Sequence, residues 1–240
     1  KMVLPGTGNK CIKLAEGAAA RDAFLAGIEE WKLLSAACLT GITRKAMEDA
    51  AAYSCEREAF DRVIGSYQGL AHPMADSITD VEGARLLVWW TVWSIGNGAR
   101  DAAALISMAF WWATQATTTA TIRAMRVFGG YGVSMEYPVQ THFRRGRALS
   151  LLLGDPKEEL RRAADRLFDA KTVVPLPEAG EVGIDFGYGE EAERHAANVR
   201  RFFDEHLTAK EKAFAYTTED GYDPAIHRQP YPGSLPQSRR

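Results

Sequence analysis

The side chains in this chain that could do chemistry are few and scattered. Five histidines, His72, His142, His195, His206 and His227, show no ligand spacing such as H-x-x-x-H; capping and surface roles account for them, and no metal is implied. Three cysteines, Cys11, Cys38 and Cys55, form an odd set without a C-x-x-C pair. The apolar surroundings of Cys38 and Cys55 read as buried free thiols in a reducing cytoplasm. Arg144, Arg145 and Arg147 make a local basic patch, more ordinary as a solvent-facing surface than as an anion site. Arg126 precedes Gly129-Gly130, where it can close a helix end or reach an anion. The two glycines suit a turn with positive φ or a close backbone approach. Trp89, Trp90, Trp93, Trp111 and Trp112 fall on two neighbouring helices; core packing or an interface is the plain reading, the wall of an apolar pocket the sharper one.

The elements that must position these groups are mostly helical. Residues 1–17, with Pro5, Gly6, Gly8 and Gly17 around short apolar runs, suit a strand and a loop. From Ala18 to Cys55, Phe24, Ile28, Trp31, Leu34, Ala37, Cys38, Gly41, Ile42 and Met47 recur at helical steps without proline, which predicts one long amphipathic helix. A loop is expected at 61–65. A second helix follows from Ser66 to about Ile95, with Leu70, Met74, Ile78 and Val81 on its stripe and Gly96-Asn97-Gly98 as its stop. Asp101 can cap a third helix that runs through Ile106, Phe110, Thr114 and Ile122 to Val127. Pro138 and Asp155-Pro156 open two shorter ones, the second through Phe168. Pro175, Pro177, Gly180 and Gly183 mark 171–186 as a linker, and 187–207 carries a further helical stripe of Ala192, Ala196, Val199, Phe203 and Leu207. The fold class is therefore all-α, an antiparallel up-down bundle over 18–170 with a linker and an extra helical segment.

The 240 residues are 46% hydrophobic and 25% charged, as in an ordinary globular protein. With 29 Lys plus Arg against 31 Asp plus Glu, the net charge of -2 gives no global field for nucleic acid or an anionic membrane. The longest apolar runs, Leu86 to Trp93 and Leu105 to Ala113, fall far short of the ~20 residues a membrane span needs. A first residue of Lys1 and a Pro-rich end suggest a piece of something longer, and a cytoplasmic location is expected.

Three short stretches, in order, resemble the carboxy-terminal half of the acyl-CoA dehydrogenase family. Tyr53-Ser54-Cys55-Glu56-Arg57-Glu58-Ala59-Phe60, followed by Ile64 and Gln68, is similar to the family's Y-x-x-x-R-x-Q-F-G-x-P-I-x-x-x-Q. Phe128-Gly129-Gly130-Tyr131-Gly132 with Glu136-Tyr137-Pro138-Val139 is similar to Q-x-x-G-G-x-G-Y-x-x-E-Y-P-V-E-R. Arg144-Arg145-Gly146-Arg147 stands where the family has R-D-A-R before its E-G-T. A fainter likeness over 187–240, from Gly189-Glu190-Glu191 through Phe202-Phe203 to Tyr222-Asp223-Pro224 and Gln229, is to the first helices of a family amino-terminal domain. Residues 1–17 would then be the remnant of the middle β-domain, and 187–240 a partial amino-terminal domain of a second, fused repeat.

The resemblance implies an FAD-dependent desaturation of an acyl-CoA thioester in fatty-acid or steroid side-chain catabolism. Its parts are a carboxylate that takes the α-proton and a flavin that accepts the β-hydride. Arg57, Phe60, Ile64, Arg126, Gly129 and Gly130 fall at the family's cofactor-contacting positions, with FAD shared across a subunit or repeat interface. The family's glutamate position is Leu153, which cannot accept a proton. Where some members carry the base on the first bundle helix, this chain has Trp31-Lys32; Glu29 and Glu30 are out of register and read as a solvated face. Asp61 replaces a family glycine, and Arg126 a glutamine. Implied partners are the acyl-CoA, a second dehydrogenase-like repeat or subunit in an oligomer, and an electron-transfer flavoprotein. The alternative is a non-catalytic scaffold half that supports the active site of its partner repeat.

Overall fold

A computed structural model describes residues 2–5, 11–169, 173–178, 180, 183–187 and 189–208. The chain divides into two units, Lys1–Phe186 and Gly187–Arg240. In the first, an antiparallel pair, β1 (Met2–Pro5) and β2 (Cys11–Ala15), leads into α1 (Gly17–Glu56). A small hairpin, β3 (Glu58–Ala59) and β4 (Arg62–Val63), and a short 3-10 turn (Ile64–Ser66) connect α1 to α2 (Gln68–Gly96). Then come α3 (Ala102–Phe128), a 3-10 turn (Gly129–Val133), α4 (Pro138–Leu151) and α5 (Lys157–Phe168). The second unit contributes α6 (Glu190–His206), which buries none of its residues and stacks Phe202 on His206. Residues 209–240, including the Tyr222–Gln229 stretch, lie outside the described residues.

The all-α bundle is built around α3, which packs against α1, α2, α4 and α5. The reason is composition: Ala104, Ala109, Ala113, Ala116, Ala120 and Ala124 are all buried, and such small residues let four neighbours approach one helix. Larger groups fill the remainder, with Leu39, Ile106 and Phe110 essentially sealed from solvent. Several hydroxyls in this core are satisfied locally, whereas the buried Ser94 Oγ has no hydrogen-bond partner among the described residues. Thr43 donates to the Leu39 carbonyl at 2.6 Å and lies 2.8 Å from the Thr117 hydroxyl, tying α1 to α3. Gly83 is demanded by close packing, since a Cβ there would lie 2.8 Å from the Trp112 ring.

Several local expectations shift. The buried face of α1 runs through Leu33, Ala36, Leu39, Thr43, Ala46 and Ala50, whereas Phe24, Leu34, Ala37, Cys38 and Gly41 are exposed. The helix carries apolar residues on two sides, and contact with the Ala/Thr face of α3 selects the smaller, more polar one. Cys38 and Cys55 are accordingly exposed free thiols rather than buried ones. Ile122 likewise points away from the core, at 43% exposure. Asp101 precedes α3 without a side-chain cap; its backbone carbonyl accepts from Leu105 instead. Pro138 does open α4, and the Asp155 carboxylate accepts from the Lys157 N–H at the start of α5. The tryptophans divide: Trp112 packs on the main core, while Trp89 and Trp90 are nearly half exposed.

Candidate functional site

The loop expected at 61–65 is a two-residue hairpin. Ala59 pairs with Arg62, and the central Phe60 and Asp61 have φ of 54° and 64°, the pattern of a type I′ turn. Positive φ is tolerable for Asp and costly, at about 1–3 kcal/mol, for a bulky residue such as Phe. The surroundings hold the turn in place: the Tyr67 hydroxyl donates to the Ala59 carbonyl at 2.9 Å, and the Arg62 guanidinium lies 3.9 Å from the Tyr67 ring centre. The 3-10 turn behind the hairpin presses on α1 so closely that a Cβ on Gly65 would meet Ser54 Oγ at 2.9 Å. The outcome is an aromatic ring, Phe60, standing 89% exposed on a fixed tip.

This tip and the Gly129-Gly130 turn occupy the same end of the bundle. Tyr53, one turn before Arg57, stacks on Phe128 with ring centres 4.3 Å apart. Tyr137 lies 5.9 Å from Tyr53, 5.2 Å from Phe128 and 5.6 Å from Tyr131, closing an aromatic cluster that joins the two sequence motifs. Gly129 ends α3 with φ 58°, and a Cβ on Gly129 or Gly130 would meet nothing, so backbone angle rather than crowding explains the first. Crowding acts instead at Gly132, where a Cβ would fall 2.4 Å from the Met125 carbonyl oxygen.

Among the six expected cofactor-contacting residues, five are exposed at this end: Arg57, Phe60, Arg126, Gly129 and Gly130. Ile64 is not one of them; at 9% exposure it belongs to the core beside Met47 and Val81. Its apolar side chain gains more from burial than from facing a polar ligand. Among the described residues, neither the Arg57 nor the Arg126 guanidinium has an ion-pair partner. Two uncompensated guanidiniums with an exposed aromatic ring fit an anionic, aromatic group such as FAD. Asp61 at the tip and the exposed Glu58 on β3 oppose an anion.

The expected base position is empty of acid. Leu153 is half-buried in the turn between α4 and α5, just before Gly154 at φ 94°. Glu30 is exposed as expected, but Glu29 is not a solvated residue: it is 4% exposed in an ion cluster that the sequence reading missed. Arg166 from α5 donates twice to Glu29, at 2.8 Å from both Nη1 and Nη2, and also to the Ala103 carbonyl at 2.7 Å. Lys32 Nζ lies 2.8 Å from Glu29 and 3.2 Å from Glu159, and Ser107 donates to Glu159 at 2.7 Å. Arg162 covers the outer Glu159 oxygen. Burial, the largest single influence on Glu29, pushes its carboxyl up; the Arg166 and Lys32 hydrogen bonds and charges together outweigh it and hold the group below the usual range. A carboxylate so held is a weak base and out of a substrate's reach. The i, i+3 pairs Glu29/Lys32 and Glu159/Arg162 were visible in the sequence, but nothing there distinguishes a buried pair from a surface one.

Among the described residues, no group of His, Cys, Asp and Glu could hold a metal ion, and no helix is long and apolar enough to cross a membrane. Residues 22–168 match the family description "Acyl-CoA dehydrogenase, C-terminal domain". The acyl-CoA dehydrogenase IpdE2 of Mycolicibacterium smegmatis is 36% identical over 136 residues, covering 57% of this chain and 42% of that protein. A solved steroid ACAD, the G363A variant of Tcur3481-Tcur3483, is 31% identical with a TM-score of 0.54, covering 57% of this chain and 37% of its own. The ChsE4-ChsE5 complex from Mycobacterium tuberculosis is 26% identical with a TM-score of 0.60, covering 68% and 44%. The chain thus spans less than half the length of these relatives. The match over more than half of its own residues, on the helical bundle described above, places this chain in the acyl-CoA dehydrogenase family.

Proposed function

We propose that this chain is the carboxy-terminal helical part of an FAD-dependent acyl-CoA dehydrogenase, contributing its hairpin end to a flavin site completed by a partner repeat or subunit, and lacking its own base. The observation that carries this reading is the convergence of Arg57, Phe60, Arg126 and Gly129 at one exposed end while the position expected for the glutamate is Leu153. Arg57 and Arg126 would meet the phosphates and Phe60 would pack on a ring of the cofactor. When bound, FAD supplies the two-electron acceptor that α,β-desaturation needs. The relatives named as a steroid ACAD and as a two-component complex support a bulky CoA thioester and a paired arrangement. An electron-transfer flavoprotein is then the proposed electron acceptor.

The test uses the full native polypeptide with its partner. Anaerobic mixing with acyl-CoA should bleach the flavin. Phe60→Ala and Arg57→Ala should lower flavin occupancy, and Leu153→Ala should leave turnover unchanged. Turnover of acyl-CoA by residues 1–240 alone, loaded with flavin, would overturn the assignment of the base to the partner. Residues 1–240 alone are expected to purify without stoichiometric flavin, and a yellow one-to-one complex would refute the shared site. The scaffold reading, favoured by Leu153 and Asp61, expects flavin occupancy indifferent to Arg57 and Phe60.

A further inference from the structure

Midway along the bundle, an open cleft of about 470 Å³ lies between α2 and α3. Asp80 lines it from α2, and Trp111, Trp112, Gln115 and Thr119 line it from α3. We propose that this cleft is a docking pocket for an arginine side chain presented by a partner polypeptide, its guanidinium paired with Asp80 and lying on the tryptophan rings. The proposal stands apart from the flavin reading of the hairpin end and uses none of its residues.

The local sequence builds a fixed wall. Positions 111, 115 and 119 are four apart and share one face of α3, with Trp112 beside them. Trp112 packs on the main core, and its ring lies so close to α2 that a Cβ on Gly83 would be 2.8 Å from it. Asp80 stands one turn before Gly83, which brings its carboxylate to the same recess. That carboxylate is exposed and has no ion-pair partner among the described residues. The basic side chains on the two helices are engaged elsewhere: Arg123 donates to the Pro73 carbonyl and to Ser77 Oγ, and Arg85 pairs with Glu82. The charge is left for a cation from outside.

The ring surfaces select which cation. Indole is the strongest aromatic partner of a positive charge, and a planar guanidinium can lie on it while donating in its own plane to a carboxylate. A lysine ammonium lacks that planar fork, and the exposed Gln115 amide adds a further hydrogen-bonding group at the rim. The wider surface selects a polypeptide as its bearer. Further along α2 from Gly83, Leu86 and Trp90 are 51% and 48% exposed, so apolar surface extends beyond the cleft. A recess with one uncompensated carboxylate beside exposed tryptophan is the anatomy of a protein contact, where tryptophan and arginine are enriched. A free guanidinium compound would fill the recess and leave that stripe bare.

Calorimetric titration of the 240-residue chain with the capped tripeptide leucine–arginine–leucine, its lysine and citrulline counterparts, and ethylguanidinium tests the pocket. The arginine peptide should bind tightest, and the neutral citrulline peptide about ten-fold or more weaker. Asp80→Asn, a surface change that leaves the fold intact, should cost the arginine peptide about ten-fold. Trp111→Ala should cost about three-fold or more, with Trp111→Phe recovering part of the loss. Asp76→Asn, one turn away on α2 and outside the cleft, should stay within about two-fold of wild type. No saturable response to the arginine peptide at millimolar concentration, equal binding by Asp80→Asn, or equal binding of the citrulline peptide overturns the proposal. Ethylguanidinium binding as tightly as the arginine peptide overturns the polypeptide source. Self-association of the chain in sedimentation, lost in Asp80→Asn, supports the pocket and identifies a second copy as the partner.

Discussion

Replacing Arg166 by alanine would empty the centre of the ion cluster. The side chain is 8% exposed and makes four hydrogen bonds, two to Glu29, one to the Ala103 carbonyl and one to Ser107 Oγ. Its removal leaves Glu29 with Lys32 alone and strips a donor from a buried carbonyl, so a loss of about 3–5 kcal/mol is expected. All six tryptophans lie between residues 31 and 112, which makes their fluorescence a report on the bundle alone. In urea, with a slope of about 2 kcal/mol per molar, the midpoint should fall by roughly 1.5–2.5 M. The double variant Glu29→Leu/Arg166→Met, which removes both charges and keeps volume, should recover most of that loss, because a buried pair is worth little against an apolar replacement. Acid adds a second readout. Glu29 titrates lower in the folded than in the unfolded chain, so its contribution is full above the unfolded value of ~4.3 and disappears as pH falls through the folded one. Glu29→Gln should therefore be destabilised at pH 7, with a gap to wild type that narrows below pH ~4. A midpoint shift under 0.5 M for Arg166→Ala, against the roughly 1.5–2.5 M expected, would refute the argument that the cluster is sealed from water.

Gly132→Ala should destabilise the bundle by about 1–3 kcal/mol, since its Cβ would fall on a backbone oxygen that cannot move aside; thermal unfolding would show it. At Gly83, the same change ordinarily favours a helix by about 1 kcal/mol, but here it should cost stability because of the Trp112 ring, with near-ultraviolet circular dichroism reporting the tryptophan's displacement. Asp61→Gly should stabilise the chain by about 0.5–1 kcal/mol through relief of the positive φ, and should tighten any anion bound at the hairpin end by removing a negative charge. A weaker anion affinity in Asp61→Gly would show that the carboxylate helps rather than hinders.

Much of this molecule could be read from its residues because helices announce themselves by period and by their ends. Gly96-Asn97-Gly98, Gly129 and Pro138 all mark real boundaries of α2, α3 and α4. The hairpin was read as a loop because its turn lacks the Asn-Gly signal, and only tertiary pinning by Tyr67 lets Phe60 sit at positive φ. The buried face of α1 was misplaced for a related reason: when a helix is apolar on two sides, its partner decides which is covered, and α3 takes the side with Thr43. That Arg57, Phe60 and Arg126 would be exposed beside helix ends was legible because motif spacing survives translation into space. The burial of Arg166 could not be read, because its partners Glu29 and Ala103 lie far earlier in the chain.

The length of α1 has a consequence of its own. Its 40 residues carry Glu29 within the first third and Tyr53 in the last turn, roughly 36 Å apart along the axis at ~1.5 Å per residue. Sites so far apart, sharing no contact, contribute independently to folding and to binding. Substitutions around the ion cluster should therefore change how much protein a cell keeps rather than the ligand affinity proposed for the hairpin end. The two ends of one helix are free to evolve under separate selection, one for abundance and the other for affinity.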